Sequence, residues 1–193
     1  MNDGMKLFEY EGKQLLAKYG IPIPNGYLWG KDPIPSDRKL IAKSQVLTGG
    51  RGKAGGIVPV EDRQSLEEIV NRLLKLKIKG ELPQTIYFEE MVSYQNEYYL
   101  SIVIDRNRQL PTLVLSKRGG VEIESEPEDQ IHTIPIHPFI GLQSYMNRQV
   151  GEILGIPINE IQPLITNMWR LFQEEEAELV EINPLFYTTD GQR

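Results

Sequence analysis

The chain of 193 residues contains no cysteine, which excludes disulfides and thiol chemistry and leaves the redox compartment open. Histidine is scarce, with only His132 and His137. No apolar run is long enough to span a bilayer, and the opening Met1–Lys6 stretch lacks the apolar segment of a signal peptide. A membrane is therefore not an expected partner, and a cytoplasmic location is the expectation. There is no surplus of positive charge either. Lys and Arg number 21 against 27 Asp and Glu, for a net charge of −6, which argues against a general nucleic-acid binder. Internal repeats and low-complexity segments are absent too. What is present is ordinary for a globular chain: 40% hydrophobic and 25% charged residues, with room for one large domain or two small lobes.

Against that background one stretch is chemically distinctive. Gly49, Gly50, Gly52, Gly55 and Gly56 crowd together, with Arg51 and Lys53 between them and Lys43 just upstream. Glycine-rich backbone can approach an anion closely and present several N–H groups to it, and the neighbouring cations point to phosphate. Gly50–Gly55 fits the dinucleotide spacing G-x-G-x-x-G, but that motif needs a helix to follow. Here Ile57-Val58-Pro59-Val60 follows, and its β-branched residues and proline predict a strand. The Walker A motif fails as well, because Ala54 stands where Ser or Thr is required. The expectation is a glycine-rich loop between two antiparallel strands, able to fold over a nucleotide. The plainer alternative is a hairpin tip with no ligand.

Punctuation and periodicity give the remaining organisation. A helix is expected over Leu7–Tyr19 with Gly20 as its stop, and a strand over Lys39–Val46. Ser65 to Glu68 reads as a capping box opening a helix whose apolar face is Leu66, Ile69, Val70, Leu73 and Leu74. Strands are expected over Ile86–Glu90, Tyr98–Asp105, Leu110–Ser116, Val121–Glu124 and Leu179–Asn183. Two helices are expected near 141–154 and 160–172, the second capped by Asn159. The irregular alternation of helices and strands indicates an α+β protein.

Acidic positions add candidates. Residues two apart on a strand share a face, so Glu181 and Asn183 point the same way. A carboxylate and an amide oxygen together suit a hard cation, since magnesium on a nucleotide needs only one or two protein oxygens besides phosphate. A solvated strand face is the alternative. Glu89, Glu90 and Glu97 flank a short connection between strands, where carboxylates can accept from ribose hydroxyls or an amino group, or can simply be exposed charges.

Taken together, several segments resemble the β subunit of succinyl-CoA synthetase. They are Leu7–Leu16, Lys43–Gly56, Glu97–Ser101 with Asp105-Arg106, Gly119–Glu124 and Glu181–Leu185, in order along the chain. The resemblance implies an ATP-grasp fold, in which two α+β lobes hold a nucleotide between their sheets. By that likeness one lobe is residues 21–92, carrying the glycine-rich loop, and the other combines 1–20 with 93–193.

The resemblance also implies roles. Lys43 matches a lysine on the nucleotide phosphates, and Arg51, Gly52 and Lys53 match the phosphate-covering loop. Glu89 and Glu97 match acidic residues on the base and ribose side, Asn183 a magnesium ligand, and Glu181 a catalytic glutamate facing the phosphohistidine of a partner α subunit that also bears the CoA site. The implied cofactors are ATP or ADP, or GTP or GDP, with Mg2+. Neither histidine lies in a matching phosphohistidine motif.

Two departures accompany the likeness. Val92 stands near the base where many members of the family have a polar residue, leaving base preference open. Thr189–Gly191 signals a hairpin turn, yet the returning strand, with its second magnesium ligand, and the CoA-ligase domain are not in the sequence. The chain alone is accordingly expected to lack acyl-CoA synthetase activity, with Leu185–Thr188 unpaired at a sheet edge. Three functions stay open: the nucleotide-binding portion of a succinate-type ligase, the same module in a relative acting on citrate, malate or acetate, and a non-catalytic nucleotide-binding subunit.

Overall fold

A computed structural model describes residues 5–61, 65–120 and 126–188. The expected strand at Val121–Glu124 and turn at Thr189–Gly191 lie outside these. The chain divides into two compact units, Met1–Leu15 with Ile23–Val92 and Leu16–Pro22 with Ser93–Arg193. The division falls inside the first helix, α1 (Glu9–Lys18). This differs from the expected grouping of residues 1–20 with 93–193. Charge is the reason: Glu9 and Lys13 of α1 pair with Lys43 and Glu89 of the first unit. The last turn of α1 closes as expected. Gly20 takes φ +75°, its N–H bonds the Ala17 carbonyl, and the Ile21 N–H bonds that of Leu16. These two bonds form the glycine-dependent motif that caps orphan carbonyls.

The first unit is built on an antiparallel sheet in the order β1-β4-β2-β3, from β1 (Gly26–Leu28), β2 (Leu40–Gln45), β3 (Ile57–Val60) and β4 (Thr85–Glu90). Strand alternation decides its two faces. Leu40 and Ala42 of β2 meet Ile86 and Phe88 of β4 in a core with Val70 and Leu73 of α2 (Leu66–Leu74). Ile41 and Lys43 alternate with Leu40 and Ala42 and so point to the other face. The apolar stripe expected for α2 is what packs here. The capping box is not formed: Ser65 precedes the helix, but its side chain makes no cap hydrogen bond, because its ψ of 6° is not the extended geometry a cap requires.

In the second unit the sheet order is β7-β6-β5-β8, again antiparallel, from β5 (Tyr94–Asp105), β6 (Leu110–Ser116), β7 (His132–Pro135) and β8 (Leu179–Thr188). Helices α3 (Ser144–Leu154) and α4 (Ile158–Glu174) bury Val150, Ile161, Ile165 and Met168 in the same core as Leu100, Ile102, Leu113 and Leu115. Asn159 is not the cap of α4. The helix starts at Ile158, two residues earlier than expected, after an extended Pro157.

The largest correction concerns β8. Leu185–Thr188 is not unpaired: the strand runs on from Leu179 and pairs with β5, Phe186 opposite Glu97 and Thr188 opposite Tyr94, although among the described residues β8 is the edge strand of its sheet, as expected. Register passes from Leu100–Ile182 to Tyr98–Leu185, so Asn183 and Pro184 together face Tyr99. Such a bulge accommodates a residue without an N–H inside a continuing ladder.

Phe88 is fully buried at the centre of the first core. Phe88→Ala should therefore destabilise the protein by roughly 3–5 kcal/mol. Urea unfolding followed by circular dichroism measures this, and a midpoint equal to wild type would mean that the core is assigned to the wrong residues.

Candidate functional site

The candidate site of the first unit grows out of the sheet face opposite its core. In the β2–β4 ladder Lys43 lies opposite Tyr87 and Ile41 opposite Glu89. Lys43 and Glu89 are therefore diagonal neighbours on one face, within reach for long side chains. The Lys43 Nζ donates to Glu89 Oε1 at 2.6 Å and to Glu9 Oε1 at 3.0 Å. Lys13, one helical turn beyond Glu9, donates to the other oxygen of Glu89 and lies 3.4 Å from Glu9 Oε1. Arg51, from the glycine-rich loop, donates from Nη1 to Glu9 Oε2 at 2.6 Å and to the Ser44 carbonyl at 3.2 Å. Glu89 is only 3% exposed, and burying a carboxylate without cations would be strongly unfavourable.

Three cations and two carboxylates leave this cluster with an excess positive charge. Burial by itself would raise the Glu9 carboxyl, but Lys43, Arg51 and Lys13 together hold it well below the usual carboxylate range. Burial, with repulsion from Lys43, lowers the Lys13 ammonium. The Tyr87 phenol is raised to about 12, first by burial and then by Glu9.

The glycine loop itself is the connection between antiparallel β2 and β3, as its sequence indicates. Its turn is closed by its own backbone: the N–H groups of Ala54, Gly55 and Gly56 bond the carbonyls of Gly50, Gly52 and Arg51. Gly50 at φ +86° needs its missing side chain. A Cβ on Gly56 would lie 2.7 Å from Ile78 Cδ1 and 3.2 Å from the Arg51 carbonyl oxygen, so a side chain there would force Ile78 to shift. Lys53 is exposed on this turn, and Val92 is half-buried beyond β4.

The structure thus brings Lys43, Arg51 and Glu89 together, with Gly52 in the adjoining turn. Glu9 and Lys13 are the members of the cluster to which the sequence assigned no role. Their only local signal is the i, i+4 spacing of opposite charges on a helix, which is common on solvated surfaces.

Glu97, Glu181 and Asn183 belong to the second unit. Glu181 and Asn183 both lie on the exposed side of β8. Tyr99 donates its hydroxyl to Glu181 Oε2 at 2.9 Å, and burial, reinforced by Glu181, raises that phenol. Asn183 Oδ1 accepts from the Gly120 N–H at 2.6 Å. Gly119, next to it, must be glycine, because a Cβ there would come within 2.4 Å of the Tyr98 carbonyl oxygen. Glu97 lies close to Gly120, 3.3 Å from where a Cβ would be. Among the described residues no group of three or more His, Cys, Asp or Glu could hold a metal ion. The oxygens of Glu181 and Asn183 are nonetheless of the hard type that suits magnesium on a nucleotide, which brings phosphate oxygens of its own.

Residues 6–187 match the ATP-grasp domain family. The chain belongs to that family. Among curated relatives it is similar to the β subunit of the ADP-forming succinate–CoA ligase of Methanocaldococcus jannaschii, with 38% identity over 97% of this chain and 54% of that one. It is also similar to the β subunit of a GDP-forming succinate–CoA ligase of Thermus thermophilus, with 34% identity over 97% of this chain and 52% of that one. The chain therefore spans about half the length of these relatives. Among solved structures, an ATP citrate lyase from Methanothrix soehngenii shares the fold with a TM-score of 0.72 at 23% identity, over 95% of this chain and 47% of that one. The two antiparallel sheets with their helices are thus an ATP-grasp fold of the α+β class. Among the described residues no helix is long and apolar enough to cross a membrane.

Because Glu9 is held ionised, its stabilising contribution is present above the ordinary carboxylate range and is lost as pH falls below it. At neutral pH, Glu9→Gln should lower stability by roughly 2 kcal/mol, below the range for a fully buried pair because the cluster is partly exposed. The gap between variant and wild type should begin to narrow as pH falls below about 5 and should go on narrowing below about 3, because the folded-state carboxyl titrates well below the unfolded one. Urea unfolding across that window is the measurement, and a pH-independent gap would contradict the assignment.

Proposed function

We propose that this chain is the nucleotide-binding portion of an ADP-forming succinate–CoA ligase β subunit. In this reading it binds Mg-ATP or Mg-ADP and serves phosphoryl transfer to and from a phosphohistidine carried by an α subunit with the CoA site. The observation that carries the proposal is the cationic cluster of Lys43, Arg51 and Lys13 beside a glycine-rich turn. It lies in a chain 38% identical to a subunit with that name.

The residues divide the work by chemistry. A transferring phosphoryl group spreads negative charge over its oxygens, so cations placed beforehand lower the barrier without becoming nucleophiles. Lys43 and Arg51 supply that charge, and Gly52 and Lys53 cover the phosphates. Glu89 keeps Lys43 and Lys13 in place, a role the geometry supports better than contact with ribose, since its oxygens are already engaged by the two lysines. Glu97 and Val92 stay assigned to the base and ribose side.

Magnesium, when bound, would supply charge neutralisation to the phosphates. Asn183 would hold it through Oδ1, which keeps a lone pair beyond its bond to Gly120. Glu181, oriented by Tyr99, is the carboxylate to accept an N–H from the incoming imidazole, so that the other ring nitrogen can carry the phosphoryl group. The T. thermophilus relative is named GDP-forming, so guanine nucleotides belong in the same titrations.

Titration calorimetry with Mg-ATP and Mg-ADP should show binding, and Lys43→Ala should weaken it by roughly 1.5–3 kcal/mol, the scale of a lost hydrogen bond to a charged group. An unchanged affinity in Lys43→Ala, or no heat from wild type at millimolar nucleotide, would remove the assigned site. Magnesium without nucleotide should give no binding heat, because the protein supplies too few oxygens alone. Binding of the free ion would point to a different metal site.

A further inference from the structure

The two carboxylates of the first unit's cluster are not equivalent. Glu89 sits on the sheet at 3% exposure and is locked between two lysines. Glu9 sits in the first turn of α1, is 17% exposed, and spreads its two oxygens over Lys43 and Arg51. These are the two cations assigned to phosphate, and a carboxylate bridging them offers the same charge-assisted bonds that a phosphate would. We infer that Glu9 is an internal competitor for those cations, which nucleotide phosphate must displace. The inference rests on the nucleotide reading above and deepens it, by naming a residue that sets affinity against binding.

The geometry makes the exchange local. Both bonds end on the one Glu9 carboxylate, so a rotation of that side chain would release Lys43 Nζ and Arg51 Nη1 together. Lys43 does not drift when Glu9 leaves, because the shorter contact to Glu89 at 2.6 Å remains. Charge changes in the useful direction. With Glu9 engaged, three cations face two carboxylates. With it displaced, three cations face one, and the potential offered to phosphate rises. Glu9 thus keeps the cations close together in the fold and moderates how tightly they hold an anion.

The test is calorimetry of wild type and Glu9→Gln, each titrated with Mg-ATP and with inorganic tripolyphosphate, after circular dichroism has checked folding. Glu9→Gln should bind both probes more tightly, by about fivefold, the scale of one unit charge near 4 Å in water-like screening. Equal or weaker binding by Glu9→Gln, with wild type binding normally, would overturn this inference and leave the nucleotide reading standing. A wild type that binds neither probe would overturn both. Should Glu9→Gln fail to fold, Glu9→Asp keeps the charge but reaches one methylene less, and is expected to gain a smaller factor; no gain would count against the inference. Carbodiimide labelling of wild type, read by mass spectrometry, needs no variant. Labelling at Glu9 should rise when tripolyphosphate is added, and unchanged or reduced labelling would overturn the displacement.

Discussion

A carboxylate at 3% exposure cannot keep its charge in a fold unless cations are built against it, and Glu89 has two. That requirement organises the first unit. Lys43 comes from the neighbouring strand, on the diagonal that an antiparallel register provides. Lys13 comes from α1, which is thereby tied to the sheet face that carries Lys43 and Glu89. Glu9 then bridges Lys43 to Arg51 and connects the helix to the glycine-rich turn. Hydrophobic burial holds one face of the sheet through Phe88, Leu40 and α2, while ion pairs organise the other.

The second unit depends on a backbone irregularity. The bulge at Asn183 and Pro184 lets β8 continue through a proline and present Asn183 to the Gly120 N–H. Gly119 permits this by allowing the chain to pass against the Tyr98 carbonyl. Regular alternation on either side keeps Glu181 exposed where Tyr99 can reach it. A chain with Ala at 119, or a β8 without the bulge, would carry the same residues and aim them differently.

Stability and the proposed anion site draw on the same side chains. Glu9 neutralises a cluster that would otherwise repel itself, and it does so at the position where a phosphate would make equivalent bonds. In the proposed exchange, the three cations that Glu9 helps to hold close together would be yielded to a phosphate. The restraint is electrostatic, so salt screens it and pH titrates it, whereas the apolar core has no titrating group of its own.

The sequence by itself determined the antiparallel pair around the glycine turn, because Pro59 and the β-branched residues at 57–60 forbid a following helix. It determined α2 and α4 through apolar periodicity, and it pointed to Lys43, Arg51 and Gly52 through composition. Its ordered motifs carried the likeness to the family to which residues 6–187 belong. It did not reveal β7, four residues ending in proline and too short for a readable period, which are strand only because β6 offers an edge. It misplaced the start of α4, since one turn residue competes with another for a cap and the packing of the whole helix decides. Only the tertiary structure set Glu89, Glu9 and Lys13 into one ion-pair cluster. Their partners lie 34 to 76 residues away, and the charge on a side chain says nothing about which distant charge the fold will set beside it.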